Sequence, residues 1–158
     1  FTYYIRNNTG IGFQTFAGGI LLGLGSIFYL VFNGLVIGAV GGHLTQLGYT
    51  ETFYPFVVGH SSVELTAIVI SGSAGLKLGL SLVVPGRLRR IDSLKKAARE
   101  SLGMVYGMAA MFFVAAFIEA FWSSTVSLDP QIKYTVGGVL WLLVLLYFSF
   151  AGRGRGTS

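Results

Sequence analysis

Residues 59–79, GHSSVELTAIVISGSAGLKLG, decide the fold of this chain, because they form a long apolar run that contains the ionisable side chains His60 and Glu64 in its first third and Lys77 near its end. His60 and Glu64 stand four residues apart in it, and a helix puts such residues on one face. The same face continues with the small or polar residues Ala67, Ser71 and Ala74. We expect a helix whose His60 face packs against protein rather than lipid.

The composition outside this stretch points to a membrane protein. Of the 158 residues, 53% are hydrophobic and 11% are charged, whereas soluble domains carry about 25% charged residues. Several apolar runs reach the length that a helix needs to cross a bilayer, and none alternates as the strand of a membrane barrel would. The prediction is an all-α, polytopic transmembrane bundle that forms one domain over residues 1–158.

Turn signals divide the chain into about five spans. Glycine-rich residues 23–26 separate the first two spans, and Asp129-Pro130 precedes the last. The third is longer than one crossing needs, so we expect it to be tilted, or broken at residues 71–75; Pro55 is expected in its first turn. The predicted spans are about 8–24, 26–47, 55–84, 101–122 and 132–150.

A basic loop at residues 86–100 predicts the orientation. Six of the eleven Lys and Arg residues lie there against two acidic residues, so the loop is expected in the cytoplasm, and the tail with Arg153 and Arg155 likewise. Helical spacing predicts a short interfacial helix, capped by Asp92. A solvated topology signal is the favoured role, and binding of anionic lipid or a partner is the alternative. The six residues are Arg87, Arg89, Arg90, Lys95, Lys96 and Arg99.

Glycine is unusually frequent, with 23 residues. Small residues four apart let membrane helices approach closely. We expect Gly34, Gly38, Gly75 and Gly79 to pack helices together, and some of these glycines to form a homodimer face. With no cysteine, disulfides and thiolate metal sites are excluded.

Topology predicts a polar layer in the outer half of the membrane. His60, Glu64 and Glu119 are expected at similar depth, with His43 near them; Asn33 and Ser71 are further polar candidates within the spans. Lys77 is expected only to extend its amine to the cytoplasmic headgroups.

Three interpretations of this layer compete. The first is structural, with hydrogen bonds that fix helix register. The second is a path for an ion, a proton or a small solute. Metal ligation is least favoured, because HSSVE is not the HExxH of zinc proteases. We predict no metal, no cofactor and no catalytic residue, and therefore no enzyme.

Several segments in order resemble one known family. They are NNTGIGFQTFAGGILLGLGS, FNGLVIGAV, GHSSVELTAIVISGSAGLKLG followed by VVPG and the basic loop, and FIEAFWS. Over about residues 7–123 these resemble the stage II sporulation protein M family. The positions that match its motifs are Asn8, Asn33, Gly34, His60, Glu64, Gly75 and Glu119.

The resemblance implies a multi-pass plasma-membrane protein of a bacterium or archaeon, here a relative from a non-sporulating bacterium. The family's namesake is a membrane scaffold that works with peptidoglycan-degrading partners, and many relatives are encoded near an AAA ATPase. We therefore expect a scaffold of the cell envelope and inner membrane, forming a homo-oligomer (a dimer by preference) or part of a membrane complex. The alternative is a small transporter or channel. Nucleic acid is not an expected partner, and further sequence with another span is expected before Phe1.

Overall fold

The computed structural model describes residues 1–151, and these form an all-helical bundle without a strand, which confirms the predicted fold class. The tail with Arg153 and Arg155 lies outside the described residues. The helices are α1 (Thr2–Ala17), α2 (Leu24–Gln46), α3 (Thr50–Val83), α4 (Arg90–Ile118) and α5 (Pro130–Phe150).

Four helices within residues 1–151 are long and apolar enough to cross a membrane: α2, α3, α5, and α4 extended by a π-helical turn, Glu119–Ser123. The predicted first span, 8–24, is instead the 16-residue α1 with the short 3-10 turn Gly18–Ile20. Although α1 is not among the four, Phe1 packs on Phe121 of the π turn, and Gly23 lies against Gly79 of α3. The first segment thus runs alongside α3 and α4 for much of their length.

Helix α3 is longer than predicted and unbroken. It begins at Thr50, so Pro55 lies inside the helix rather than in its first turn, and it continues through residues 71–75 to Val83. At 1.5 Å per residue, its 34 residues span about 51 Å, more than the hydrocarbon core requires. By contrast, the Asp129-Pro130 signal does start a helix, since the Asp129 carboxylate accepts from Gln131 N–H at 2.7 Å.

The helix expected in the basic loop is the first part of α4 and not a separate element. No proline or glycine interrupts residues 90–102, and α4 continues from Arg90 into the apolar segment without a break. Asp92 does not cap it. Its carboxylate lies in the first turn and accepts from Arg89 Nε at 2.8 Å.

Helix α3 lies at the centre and packs against each of the other helices. On one side the contact is backbone to backbone, because Gly19 lies against Gly75 and Gly23 against Gly79. Gly23 also has a φ of 86°, a left-handed turn that glycine adopts without strain. Such close approach is how small residues let helices associate where lipid competes for every apolar face.

The apolar core joins α3 to α4 beside this contact. Ala67 and Ile68 of α3 meet Met108 and Phe112 of α4, and all four are buried. Gly12 of α1 leaves room for the Phe112 ring. These contacts fix α3 against α4 next to the His60 face.

Replacing Gly75 with Ala should destabilise the protein by about 1–3 kcal/mol, because the added methyl overlaps Ser26 and the carbonyls of Thr15 and Phe16. Gly107→Ala in α4 is the matched control, since its methyl meets nothing within 4 Å. That variant should be neutral or slightly stabilising. Thermal unfolding in detergent measures both, and equal effects would contradict the close contact at Gly75.

Candidate functional site: a buried histidine and two carboxylates

Three ionisable side chains from two segments meet inside the bundle. His60 and Glu64 are one turn apart on α3, and Glu119 begins the π-helical turn after α4. His60 Nε2 lies 3.6 Å from a Glu64 carboxylate oxygen and 4.0 Å from a Glu119 oxygen. His60 and Glu119 are buried, whereas the Glu64 side chain stays 18% exposed. We call these three residues the His–Glu cluster.

The imidazole of His60 is held from its other side. Its Nδ1 lies 3.2 Å from the Ser123 hydroxyl, and the Phe56 ring contacts it edge to face at 5.3 Å between centroids. Ser123 is buried and ends the π turn that Glu119 begins. One short segment therefore supplies a partner to each ring nitrogen, and Nε2 is directed toward the two carboxylates.

The π turn owes its position to a glycine on α3. Gly59 faces the Trp122 ring and the Ser123 hydroxyl, and a side chain there would collide with both. A π turn within a helix frequently marks a functional site. Here it lies directly against the residue that precedes His60.

Helix α1 joins the cluster through an asparagine. Asn8 is buried, and its amide donates to the second Glu119 oxygen at 3.5 Å, while Asn7 donates to Asn8 at 3.2 Å. The sequence offered Asn8 only as a family-motif position. The contact gives it a physical role, because this long hydrogen bond links α1 to the Glu119 carboxylate.

Helix α5 contributes Lys133 to the polar network around the His–Glu cluster, and this residue was not predicted from the sequence. Lys133 is buried, and its amine donates to the Ser123 carbonyl at 2.8 Å. The signal was available, because Lys133 lies inside the predicted span 132–150 and a charge there requires a reason. The polar network therefore connects α1, α3, the end of α4, and α5.

Other predicted site residues lie outside the cluster. The Asn33 amide donates to the Tyr29 carbonyl at 2.7 Å. The Ser71 hydroxyl lies within hydrogen-bond distance of the Ala67 carbonyl and of the Met108 sulfur. His43 is exposed in the last turn of α2. Ser71 is therefore part of the apolar core's packing, and Asn33 bonds within its own helix.

The predicted helix-packing glycines divide into two groups. Gly75 and Gly79 lie against α1 and its turn, as described above, whereas Gly34 and Gly38 of α2 have nothing within 4 Å. The second pair thus faces away from the rest of the described chain.

Residues 86–100, which we call the basic segment, follow the C-terminal end of α3, whereas the His–Glu cluster lies near its N-terminal end. The segment's six Lys and Arg residues are exposed. Lys77, expected only to reach the headgroups, forms an ion pair with Glu100 at 2.9 Å. The two acidic residues of the segment, Asp92 and Glu100, are thus already paired, and the surface is left with excess positive charge.

An open cleft of about 230 Å³ adjoins the cluster and is lined in part by Phe56, Ser123 and Lys133. Phe56 and Ser123 both touch His60. The cluster itself combines one imidazole with two carboxylates, a donor set that can hold a proton or a cation between its atoms.

The fold and this site define a class: a multi-helix membrane protein with a buried ionisable cluster shared between helices. The family model for stage II sporulation protein M matches residues 1–124, and the chain belongs to that family, as the sequence motifs predicted. An uncharacterized protein of Methanocaldococcus jannaschii is 26% identical over 127 residues, covering 77% of this chain and 69% of that protein. This is consistent with a non-sporulating relative. No solved structure gives a significant match.

Replacing Lys133 with Met should lower the free energy of unfolding by about 1–3 kcal/mol, since Met keeps the packing volume but leaves the Ser123 carbonyl without its charged donor. Lys95→Met is the control, because Lys95 is exposed on α4, and it should change stability by less than about 0.5 kcal/mol. Chemical denaturation in detergent compares the two variants. Similar losses, or no loss in Lys133→Met, would contradict a role for this bond.

Proposed function

We propose that this protein is an integral scaffold that assembles partners in the plasma membrane at the cell envelope. The observation that carries the proposal is that the polar side chains inside the bundle bind helices to one another. His60 contacts Ser123, Asn8 contacts Glu119, and Lys133 contacts the Ser123 carbonyl. Groups paired in this way hold several helices in one register, as a rigid platform requires.

The lining of the cleft beside the cluster also favours a scaffold over a transporter. The cleft of about 230 Å³ beside the His–Glu cluster is lined in part by Phe56, Ser123 and Lys133, and its lining includes none of the three cluster residues. A conduction site would be expected to line a water-accessible path. Transport nevertheless remains the second candidate function, because the Glu64 side chain keeps 18% of its exposure.

The basic segment is the proposed contact with the cytoplasmic side. Its six exposed basic residues surround two carboxylates that are already paired with Arg89 and Lys77. Anionic headgroups attract such a surface by about 1 kcal/mol for each Lys or Arg near the membrane. We propose that it binds membrane lipid and faces the cytoplasm, where an AAA ATPase system is a candidate partner.

Helix α2 is the proposed contact with a second copy of the chain. Gly34 and Gly38 lie on it four residues apart with open space beside both, and small residues at this spacing favour helix pairing in lipid. A homodimer through α2 would leave the basic segment and the opposite end of the bundle free. Peptidoglycan-remodelling proteins are candidate partners there, and the protein itself is proposed to catalyse no reaction.

The scaffold proposal predicts that the reconstituted protein moves no ions and depends on its basic segment for assembly. Proton and divalent-cation flux into proteoliposomes should equal that of protein-free liposomes. A triple variant, Arg87→Glu, Lys95→Glu and Lys96→Glu, should lose the high-mass assembly that native electrophoresis detects for the wild type in solubilised membranes.

The control for that experiment is Glu51→Gln, an exposed carboxylate at the start of α3 that should leave both readouts unchanged. Flux above background that disappears in a folded Glu64→Gln variant would replace the scaffold with a transporter. A wild type that migrates as a lone monomer in native membranes would also contradict the scaffold.

The dimer proposal predicts that Gly38→Cys forms a disulfide-linked dimer when membranes are treated with a mild oxidant. Gly107→Cys is the matched control, because Gly107 is likewise an exposed helical glycine with nothing within 4 Å. The chain has no cysteine of its own, so each band reports one position. Equal cross-linking of both variants, or of neither, would contradict a contact through α2.

A further inference from the structure

The atoms of the His–Glu cluster have the arrangement of a metal site. His60 Nε2 and one carboxylate oxygen each from Glu64 and Glu119 all lie within 4.8 Å of one another. Two ligands come from consecutive turns of α3, and the third comes from the π turn of a different segment. An ion bound here would therefore join the central helix to the end of α4.

The imidazole is prepared for such a role. With its hydrogen on Nδ1, His60 donates to the Ser123 hydroxyl at 3.2 Å and directs the Nε2 lone pair toward the carboxylates. A metal-binding histidine almost always uses its other nitrogen in this way, and ligating carboxylates are themselves hydrogen-bonded. Glu119 meets that condition through Asn8, which donates to the oxygen that does not face His60.

The distances show that hydrogen bonds between the three groups are not what holds them together. Nε2 lies 3.6 and 4.0 Å from the nearest carboxylate oxygens, beyond the 2.7–3.2 Å typical of hydrogen bonds to nitrogen. A tetrahedral zinc ion with bonds of about 2.0 Å needs ligand atoms about 3.3 Å apart. The three ligand atoms lie within 4.8 Å of one another, so ligation requires the side chains to move toward a common centre.

The negative charge of the two carboxylates also favours a bound cation. Within residues 1–151, the ion pairs of Glu64 and Glu119 are with His60, the neutral Asn8 amide donates to Glu119, and the Phe1 amine acts on Glu119 only through its charge. Glu119 is buried and Glu64 is partly buried, and ionised carboxylates in such surroundings are costly without a cation beside them. One divalent ion with two carboxylates and a neutral imidazole has no net charge, so it removes that cost.

We propose that His60, Glu64 and Glu119 bind one resident divalent transition-metal ion, of which zinc is the best match. Imidazole and carboxylate together suit this class of ion, and the absence of cysteine excludes thiolate-selected metals. Three protein ligands leave a fourth position for water. The ion's role is to clamp α3 to the π turn, which extends the scaffold proposal without depending on it.

Metal binding by the full chain, purified in detergent with any affinity tag removed, tests this proposal. After treatment with a chelator and dialysis, titration with Zn²⁺ should give one ion per chain and raise Tm. Glu64→Gln and Glu119→Gln should each weaken Zn²⁺ binding by at least about 100-fold, more than the loss of a supporting group alone. His43→Ala is the matched control, since His43 is the chain's other histidine and is exposed, and it should bind as the wild type does.

X-ray absorption on the zinc-loaded wild type keeps the proposal falsifiable if the glutamine variants fail to fold. The spectrum should show one imidazole nitrogen and carboxylate oxygens at about 2.0–2.2 Å. Less than one ion per chain in the wild type, no imidazole in the spectrum, or wild-type affinity in both folded glutamine variants would overturn the site. None of these results depends on whether the protein assembles partners or moves ions, so failure here is distinguishable from failure of the scaffold proposal.

Discussion

The closeness of the backbones at Gly19 and Gly75 is the constraint on which the other helix positions depend. In a bilayer, apolar faces gain little by leaving lipid, so helices associate through close packing and buried polar contacts. The glycine contact brings α1 and its turn directly onto α3. With α1 in that place, Gly12 lies over Phe112 and Asn8 reaches Glu119. The same contact therefore positions both the apolar core and one partner of the His–Glu cluster.

The polar and apolar halves of the bundle have different tasks. The core around Phe112 holds α3 against α4 without directional bonds. The network around His60 adds direction, because each of its bonds has a preferred geometry and joins different segments. A cation bound by the His–Glu cluster would add bonds of fixed geometry between α3 and the π turn. This division explains how a small protein with few charges can hold a defined shape in lipid.

Much of the fold could be predicted from sequence, because apolar runs of sufficient length have few alternatives in a membrane. The all-α class and the family were predicted correctly, and the short motifs around His60 carried the second prediction. The ends of the helices were harder to predict from sequence. Pro55 suggested the start of the third helix, which begins at Thr50 instead, and the basic loop suggested a separate helix, which is instead the first part of α4. In both cases local signals were weaker than the continuity of a long helix.

The site was predictable in part for a similar reason. His60 and Glu64 stand out because charge is rare in a span, and topology placed Glu119 at their depth. Lys133 was missed although a charge inside a predicted span signals a buried partner, and its partner could not be predicted, because Lys133 bonds to the backbone carbonyl of Ser123, which no side-chain pattern encodes. Asn33 and Ser71 were included because they are polar, although each bonds to a carbonyl four residues earlier in its own helix.

Helix α5 is an outer helix of the bundle, as α2 is, with two buried residues. The family match ends at residue 124, before α5 begins, and α5 packs mainly on α3 with only Lys133 and Gly137 buried. Helix α5 is thus an outer helix that is held to α3 and, through Lys133, to the π turn. Its departure would expose Ser61, which bonds Trp141 at 3.3 Å, to lipid or to an incoming helix.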